Sequence, residues 1–139
     1  MIILDTNVLS ALMRTTPDKR VVTWLDRQPR ISIWTTSVTI LEIRFGLQAM
    51  PAGKRRSALS EAFKTLLANQ VANRIAAFDA AAAVHAGDLL ALRKTQGRTV
   101  DLRDTMIAGI VLATNAVLAT RNTAHFDDLE MALVNPWGD

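Results

Sequence analysis

The 139-residue sequence predicts an α/β fold: a central parallel sheet of four to five strands, covered by helices on both faces in three layers. Three observations predict it. Apolar runs too short for helices, residues 1–4 and 116–120 above all, read as strands buried on both faces. Between the short runs lie stretches with apolar residues three and four apart, the helical connections that parallel strands require. Polar residues follow the runs directly, Asp5-Thr6-Asn7 after the first and Arg121-Asn122-Thr123 after 116–120. In open α/β sheets, ligands bind at that carboxyl edge.

Taken in order, residues 1–4 are the first strand, and a helical pattern resumes with Val8, Leu9, Leu12 and Met13. One of Asp5, Thr6 and Asn7 caps that helix, yet three polar residues exceed what a cap needs. Thr15-Thr16-Pro17-Asp18 opens a second helix with Pro17 at its first position. It runs to about residue 27, burying Val21, Val22, Trp24 and Leu25, and Gln28-Pro29 stops it. Residues 30–35 alternate, Ile31 and Ile33 against Ser32 and Trp34, as a second strand. Ser37 caps a helix from 38 to about 49, ended by Met50-Pro51-Ala52-Gly53. Residues 54–68 form the next helix, with Leu59, Phe63, Leu66 and Leu67 as its buried stripe, and 74–78 a short strand. Asp79 caps a long Ala-rich helix ending near Gln96-Gly97, where Gly97 suits the left-handed position. A helix over 101–115 leads into the strand 116–120, a short helix or turn covers 125–129, and 131–134 is the last strand. No repeat or linker interrupts the pattern, so residues 1–139 read as one domain, long enough to bury roughly two-thirds of its unfolded surface.

Composition narrows the chemistry. The absence of cysteine excludes disulfides, thiolate zinc sites and a cysteine nucleophile. No apolar run approaches the roughly 20 residues that cross a bilayer, and no charged leader precedes a hydrophobic segment, so a cytoplasmic protein with no membrane contact is expected. The net charge of +3, with 12 of 16 basic residues Arg, suits an anionic partner, since the guanidinium fork matches phosphate. With no Tyr and 5% aromatic residues, a broad base-stacking platform is not expected.

Acids on apolar helix faces then stand out. Glu42 falls beside Val38, Phe45 and Ala49, near the face expected to pack inward, and Gly46 leaves space beside it. Ile40, Ile43 and Leu47 form a second apolar face on the other side, free for a partner or for the core. Asp104 shares the face of Ile107, Ala108 and Val111. Taken singly, each residue has a plainer role: Glu42 at the rim of a stripe with its head in water, Asp104 as the third-position acid behind an Asp101 cap, Asn122 as a turn residue. Asp101 is also the rival to Asp104 as a third acid. On one fold, however, Asp5, Glu42, Asp104 and Asn122 map to the same rim of the sheet. Carboxylates meeting there repel by about 4 kcal/mol per pair at 4 Å and an effective dielectric near 20. A divalent cation would hold them, and oxygen-only ligands favour Mg²⁺, with Mn²⁺ able to substitute, over zinc.

The pattern resembles the PIN-domain nucleases, specifically the toxin branch of type II toxin–antitoxin pairs (VapC-like, with FitB-like members). Ile3-Leu4-Asp5-Thr6-Asn7-Val8-Leu9 is similar to the family's first motif, and Thr39-Ile40-Leu41-Glu42-Ile43-Arg44-Phe45-Gly46 to its second. Asp104-Thr105-Met106-Ile107-Ala108 resembles the third, Ala119-Thr120-Arg121-Asn122 the fourth, and the closing Asn135-Pro136-Trp137 also fits. The likeness covers the whole chain, with the motifs in order. Asn122 departs from it, standing where the family often carries Asp, and His125 stands where many relatives carry a further acid. An amide supplies no charge, which points to one tightly held ion.

The resemblance implies a PIN-like fold and a metal-dependent endoribonuclease acting on RNA, with a cognate antitoxin encoded alongside and with homodimerisation. In this reading Asp5, Glu42 and Asp104 are the metal ligands, direct or through water. Asn122 completes the catalytic set by positioning the water or the scissile phosphate. Thr6 and Thr120 orient the ligand carboxylates, and Arg121 either neutralises substrate phosphate or is merely solvated. In-line attack would leave a 5′-phosphate and a 3′-hydroxyl. His85 reads as structural or surface, and His125 shows no clear acid partner. A dehalogenase- or receiver-like phosphotransfer domain also begins with a strand-end Asp, but Thr6-Asn7 and the sparse Lys content disfavour it. A catalytically silent PIN-like binding module, supported by Asn122, and a DNA-directed nuclease are the remaining alternatives.

Overall fold

The computed structural model describes residues 1–138. Five strands form one parallel sheet: β1 (Ile2–Leu4), β2 (Ile33–Thr36), β3 (Ile75–Ala76), β4 (Val117–Ala119) and β5 (Ala132–Val134), in the order β3-β2-β1-β4-β5. Helices α1 (Thr6–Leu12) and α2 (Lys19–Asp26) connect β1 to β2, and α3 (Ser37–Ala49) and α4 (Lys54–Asn69) connect β2 to β3. The pair α5 (Ala80–Thr95) and α6 (Leu102–Thr114) leads to β4, and a 3₁₀ turn over Thr123–Phe126 precedes β5. β1 is central, with Ile3 paired to Trp34 on one side and to Leu118 on the other. From β1 the chain first builds outward through β2 and β3, then returns to the opposite side of β1 for β4. That reversal makes the gap beyond the carboxyl ends of β1 and β4 a topological switch point, where open α/β sheets bind ligands.

Side-chain alternation along the strands feeds two cores. Leu4 and Ala119 join Val8, Leu9, Leu25, Ile43, Leu47 and Phe63 beneath α1–α4. Their neighbours Ile3 and Leu118 join Ala82, Leu89, Ile107, Ile110 and Phe126 beneath α5 and α6. The sheet is therefore apolar on both faces, as its short runs of Ile, Leu and Val require. α5 and α6 approach closely because Gly109 has no side chain: a Cβ there would lie 2.5 Å from the Ala82 carbonyl oxygen and 2.9 Å from Ala86 Cβ. Gly97 adopts the left-handed conformation expected of it, at φ +67°.

Several boundaries differ from the sequence expectations. Asp18, not a residue before Pro17, caps α2, because its carboxylate accepts from the Arg20 amide; Pro17 therefore precedes the helix. Residues 30–32 form a 3₁₀ turn instead of the start of β2, and Ile31 is 77% exposed. The Arg74 guanidinium donates to the carbonyls of Arg30 and Ile33 and holds that turn. Thr36 caps α3 by accepting from the Thr39 amide, while the Ser37 hydroxyl accepts from the amide of Phe78. Phe45 does not pack inward. α3 meets its neighbours through Val38, Thr39, Ile43 and Leu47, leaving Phe45 66% and Leu41 56% exposed.

Candidate functional site

Asp5 follows β1 directly and is the N-cap of α1, its Oδ1 accepting from the Thr6 amide at 2.8 Å. Its role as a cap and its position at the switch point coincide. The side chain is buried. Oδ2 accepts from the Thr120 hydroxyl at 2.8 Å and from Asn7 Nδ2 at 3.4 Å. Asn7 braces both strand ends: Nδ2 also donates to Thr120 Oγ1 at 3.2 Å, and Oδ1 accepts from the Arg121 amide at 3.2 Å.

Glu42 projects from α3 toward the same place. Its Oε1 accepts from the Thr6 hydroxyl at 2.9 Å, and Arg103 Nε lies 3.7 Å from Oε2. The Thr6 hydroxyl also meets that of Thr39 at 3.1 Å, which meets that of Thr36 at 3.2 Å. A row of hydroxyls thus runs from the end of β2 to Glu42. Asp104 sits in the first turn of α6, where the helix dipole favours an acid. Asp101 is the N-cap, accepting from the Asp104 amide at 3.0 Å.

Asp5, Glu42, Asp104 and Asn122 all line one cavity of about 420 Å³, edged by Arg14 and Arg121. Asp101 does not line it; it borders a neighbouring depression of about 220 Å³ with Arg98 and His125. Asn122 is exposed, and its backbone amide donates to Thr120 Oγ1 at 3.1 Å. Gly46 has open space around it, as expected, and lies in a third depression that also touches Thr6, Arg14 and Glu42.

Burial raises the Asp5 pKa from 3.8 to about 6, against the opposing hydrogen bonds from Thr120 and Thr6; the charges of Asp104 and Glu42 raise it further. Repulsion between the acids is therefore the smaller cause, and desolvation the larger. The sequence cannot show how deep a strand-end Asp lies.

Two further residues stand at the site. His125, expected to lack an acid partner, has its Nδ1 2.7 Å from Asp104 Oδ2. The contact spans 21 residues and depends on where a turn falls, so no local pattern announces it. Trp137 lines the cavity, with the Arg121 guanidinium 4.9 Å from its ring centroid. His85 is exposed on α5.

The donor set suits a hard divalent cation. Asp5, Glu42 and Asp104 offer only oxygen, and among the described residues no three His, Cys, Asp or Glu side chains are grouped tightly enough to hold a metal ion among themselves. A divalent cation that keeps several waters and takes only one or two carboxylates directly would suit this spacing. The cost of keeping Asp5 ionised while buried is what a cation would offset.

Residues 2–130 match the sequence model of the PIN domain. The chain is 38% identical over 137 residues to the VapC ribonuclease Y4jK of Sinorhizobium fredii, covering 99% of this chain and 98% of that protein. It is 33% identical over 139 residues to the toxin FitB of Neisseria gonorrhoeae, covering all of both chains. Its structure is similar to the crystal structure of FitAcB from the same organism, with a TM-score of 0.86, 33% identity and 99% of each chain covered.

Proposed function

The chain belongs to the PIN-domain family, among relatives that include VapC ribonucleases and the FitB toxin, and from that premise we propose that it is the toxin of a type II toxin–antitoxin pair, a metal-dependent endoribonuclease. The observation that carries the proposal is the convergence of Asp5, Glu42, Asp104 and Asn122, from four separate parts of the chain, on one cavity at the switch point of the sheet.

Asp5, Glu42 and Asp104 would hold Mg²⁺, or Mn²⁺ in its place. When bound, such an ion polarises a phosphodiester oxygen and lowers the pKa of water, supplying a nucleophile near neutral pH. Thr120 and Asn7 hold the Asp5 carboxylate, and Thr6 holds that of Glu42, so two acids are fixed in orientation before substrate arrives. Asn122 presents an uncharged amide at the cavity, suited to positioning the attacking water or the scissile phosphate. Arg14 and Arg121 edge the cavity with positive charge, which favours an RNA backbone. Cleavage in line leaves a 5′-phosphate and a 3′-hydroxyl.

The antitoxin partner is supported by the likeness to the toxin FitB and to the crystal structure of FitAcB. The depression past Gly46, with Ile43, Leu47, Met50 and Leu59 for a floor and Arg14 and Arg55 at its edges, offers an apolar and basic surface for such a chain. A homodimer is supported by the exposed Leu41 and Phe45 on α3 and Val84 and Leu92 on α5. Among the described residues no helix is long and apolar enough to cross a membrane. We place its action on RNA in the cytoplasm, with residues 1–139 as one nuclease domain.

The test is cleavage of mixed RNA and of DNA by purified, antitoxin-free protein with Mn²⁺, beside Asp5→Ala. RNA cleaved by wild type but not by the variant supports the reading. No cleavage at all replaces it with a silent binding module, and cleavage of DNA alone with a deoxyribonuclease.

A further inference from the structure

We infer that His125 is a positioning residue for Asp104, committing one carboxylate oxygen so that the other is presented to the cation. The inference rests on the metal site proposed above. His125 Nδ1 lies 2.7 Å from Asp104 Oδ2, a short contact of the kind a ring N–H makes to a charged carboxylate. That contact occupies Oδ2 and leaves Oδ1 as the free ligand atom. Metal-binding carboxylates are commonly held in this way by a neighbour that does not touch the ion. The site needs such help at Asp104 more than at the other acids. Thr120 and Asn7 already hold Asp5 and Thr6 holds Glu42, whereas His125 is the side chain that meets the Asp104 carboxylate.

The turn that carries His125 is fixed from below. Arg93 of α5 is 2% exposed, and its guanidinium makes a forked pair with Asp128, at 3.0 Å to each carboxylate oxygen. The same guanidinium donates to the His125 carbonyl at 2.8 Å and to Thr105 Oγ1 at 3.2 Å. Thr105 is the residue after Asp104. One buried cation therefore ties the His125 backbone to the first turn of α6, setting both ends of the His125–Asp104 contact. The His125 amide also donates to the Asn122 carbonyl at 3.0 Å, and Arg98 donates to the Ala124 carbonyl at 3.0 Å. A solvated surface histidine has no need of such a foundation.

The test is Mn²⁺ affinity in the absence of RNA, read by electron paramagnetic resonance of free and bound ion, for wild type, His125→Ala and His125→Asn. Removal of the ring should weaken Mn²⁺ binding about 10- to 100-fold. His125→Asn, whose amide places a donor near the position of Nδ1, should recover most of that loss. Metal-free melting temperatures of the three should agree, since the His125 side chain is 54% exposed. Equal Mn²⁺ affinity in wild type and His125→Ala overturns the inference alone, as does an equal loss in both variants. Wild type that binds no Mn²⁺ overturns it together with the metal-dependent function.

Discussion

The Thr120 hydroxyl donates to Asp5 Oδ2 at 2.8 Å, joining the ends of β4 and β1 in a contact closed to solvent. Hydrogen bonds to charged groups contribute about 1.5–3 kcal/mol, and neutral ones about 1. Thr120→Val keeps the shape and removes the donor. The variant should therefore lose about 2 kcal/mol at pH 8, where Asp5 is ionised, and less at pH 5, where it holds its proton. Urea unfolding at the two pH values in chelator measures the difference; equal losses would show that the hydroxyl does not serve the ionised form.

Asp5 itself makes metal-free protein less stable as pH rises. Its folded pKa of about 6 lies above the ordinary 3.8, so between those values the native state binds a proton that the unfolded chain has released. Stability contributed by that proton is present below pH 4 and is lost as pH rises through 6, in total about 3 kcal/mol at 1.36 kcal/mol per unit. Asp5→Asn removes this dependence. Compared in chelator, the variant should match or exceed wild type at pH 8, and its advantage should shrink toward pH 5.

Added cation should narrow or cancel that advantage. At 100 times its Kd, Mg²⁺ stabilises a one-site protein by about 2.7 kcal/mol through mass action. Wild type should show that gain by calorimetry, and Asp5→Asn and Glu42→Gln should not. Asn122→Asp adds a carboxylate to the cavity edge and should bind Mn²⁺ more tightly than wild type. Unchanged affinity in that variant would place residue 122 away from the ion.

Gly109 governs the packing of α5 on α6. A methyl group there would stand 2.5 Å from the Ala82 carbonyl, a backbone atom that cannot swing aside. Overpacking of this kind costs about 1–3 kcal/mol, so Gly109→Ala should unfold at lower urea concentration. Gly46→Ala, which meets nothing within 4 Å, is the matched control and should not, beyond the small gain expected of Ala in a helix.

What the sequence shows of this protein is the polar punctuation of its strands. Asp5 and Asn122 follow apolar runs, and Glu42 and Asp104 interrupt helical stripes, so all four are visible as exceptions to a period. Features set by distant contacts are not. Residues 30–32 alternate like a strand yet curl into a turn, because the guanidinium of Arg74, 41 residues beyond Ile33, takes the carbonyls of Arg30 and Ile33. Phe45 reads as inward until the neighbours of α3 settle on the Ile43 and Leu47 side. The His125–Asp104 contact depends on Arg93, which in the sequence is one more basic residue near a helix end.

The cavity takes its acids from separate helices, Glu42 from α3 and Asp104 from α6. Asp5 and Glu42 belong to elements packed beneath α1–α4, and Asp104 and His125 to the layer of α6 and the turn after β4. The span across the mouth is thus inherited from the thickness of the sandwich. Packing in either interior, far from any acid, therefore bears on how the acids are spaced.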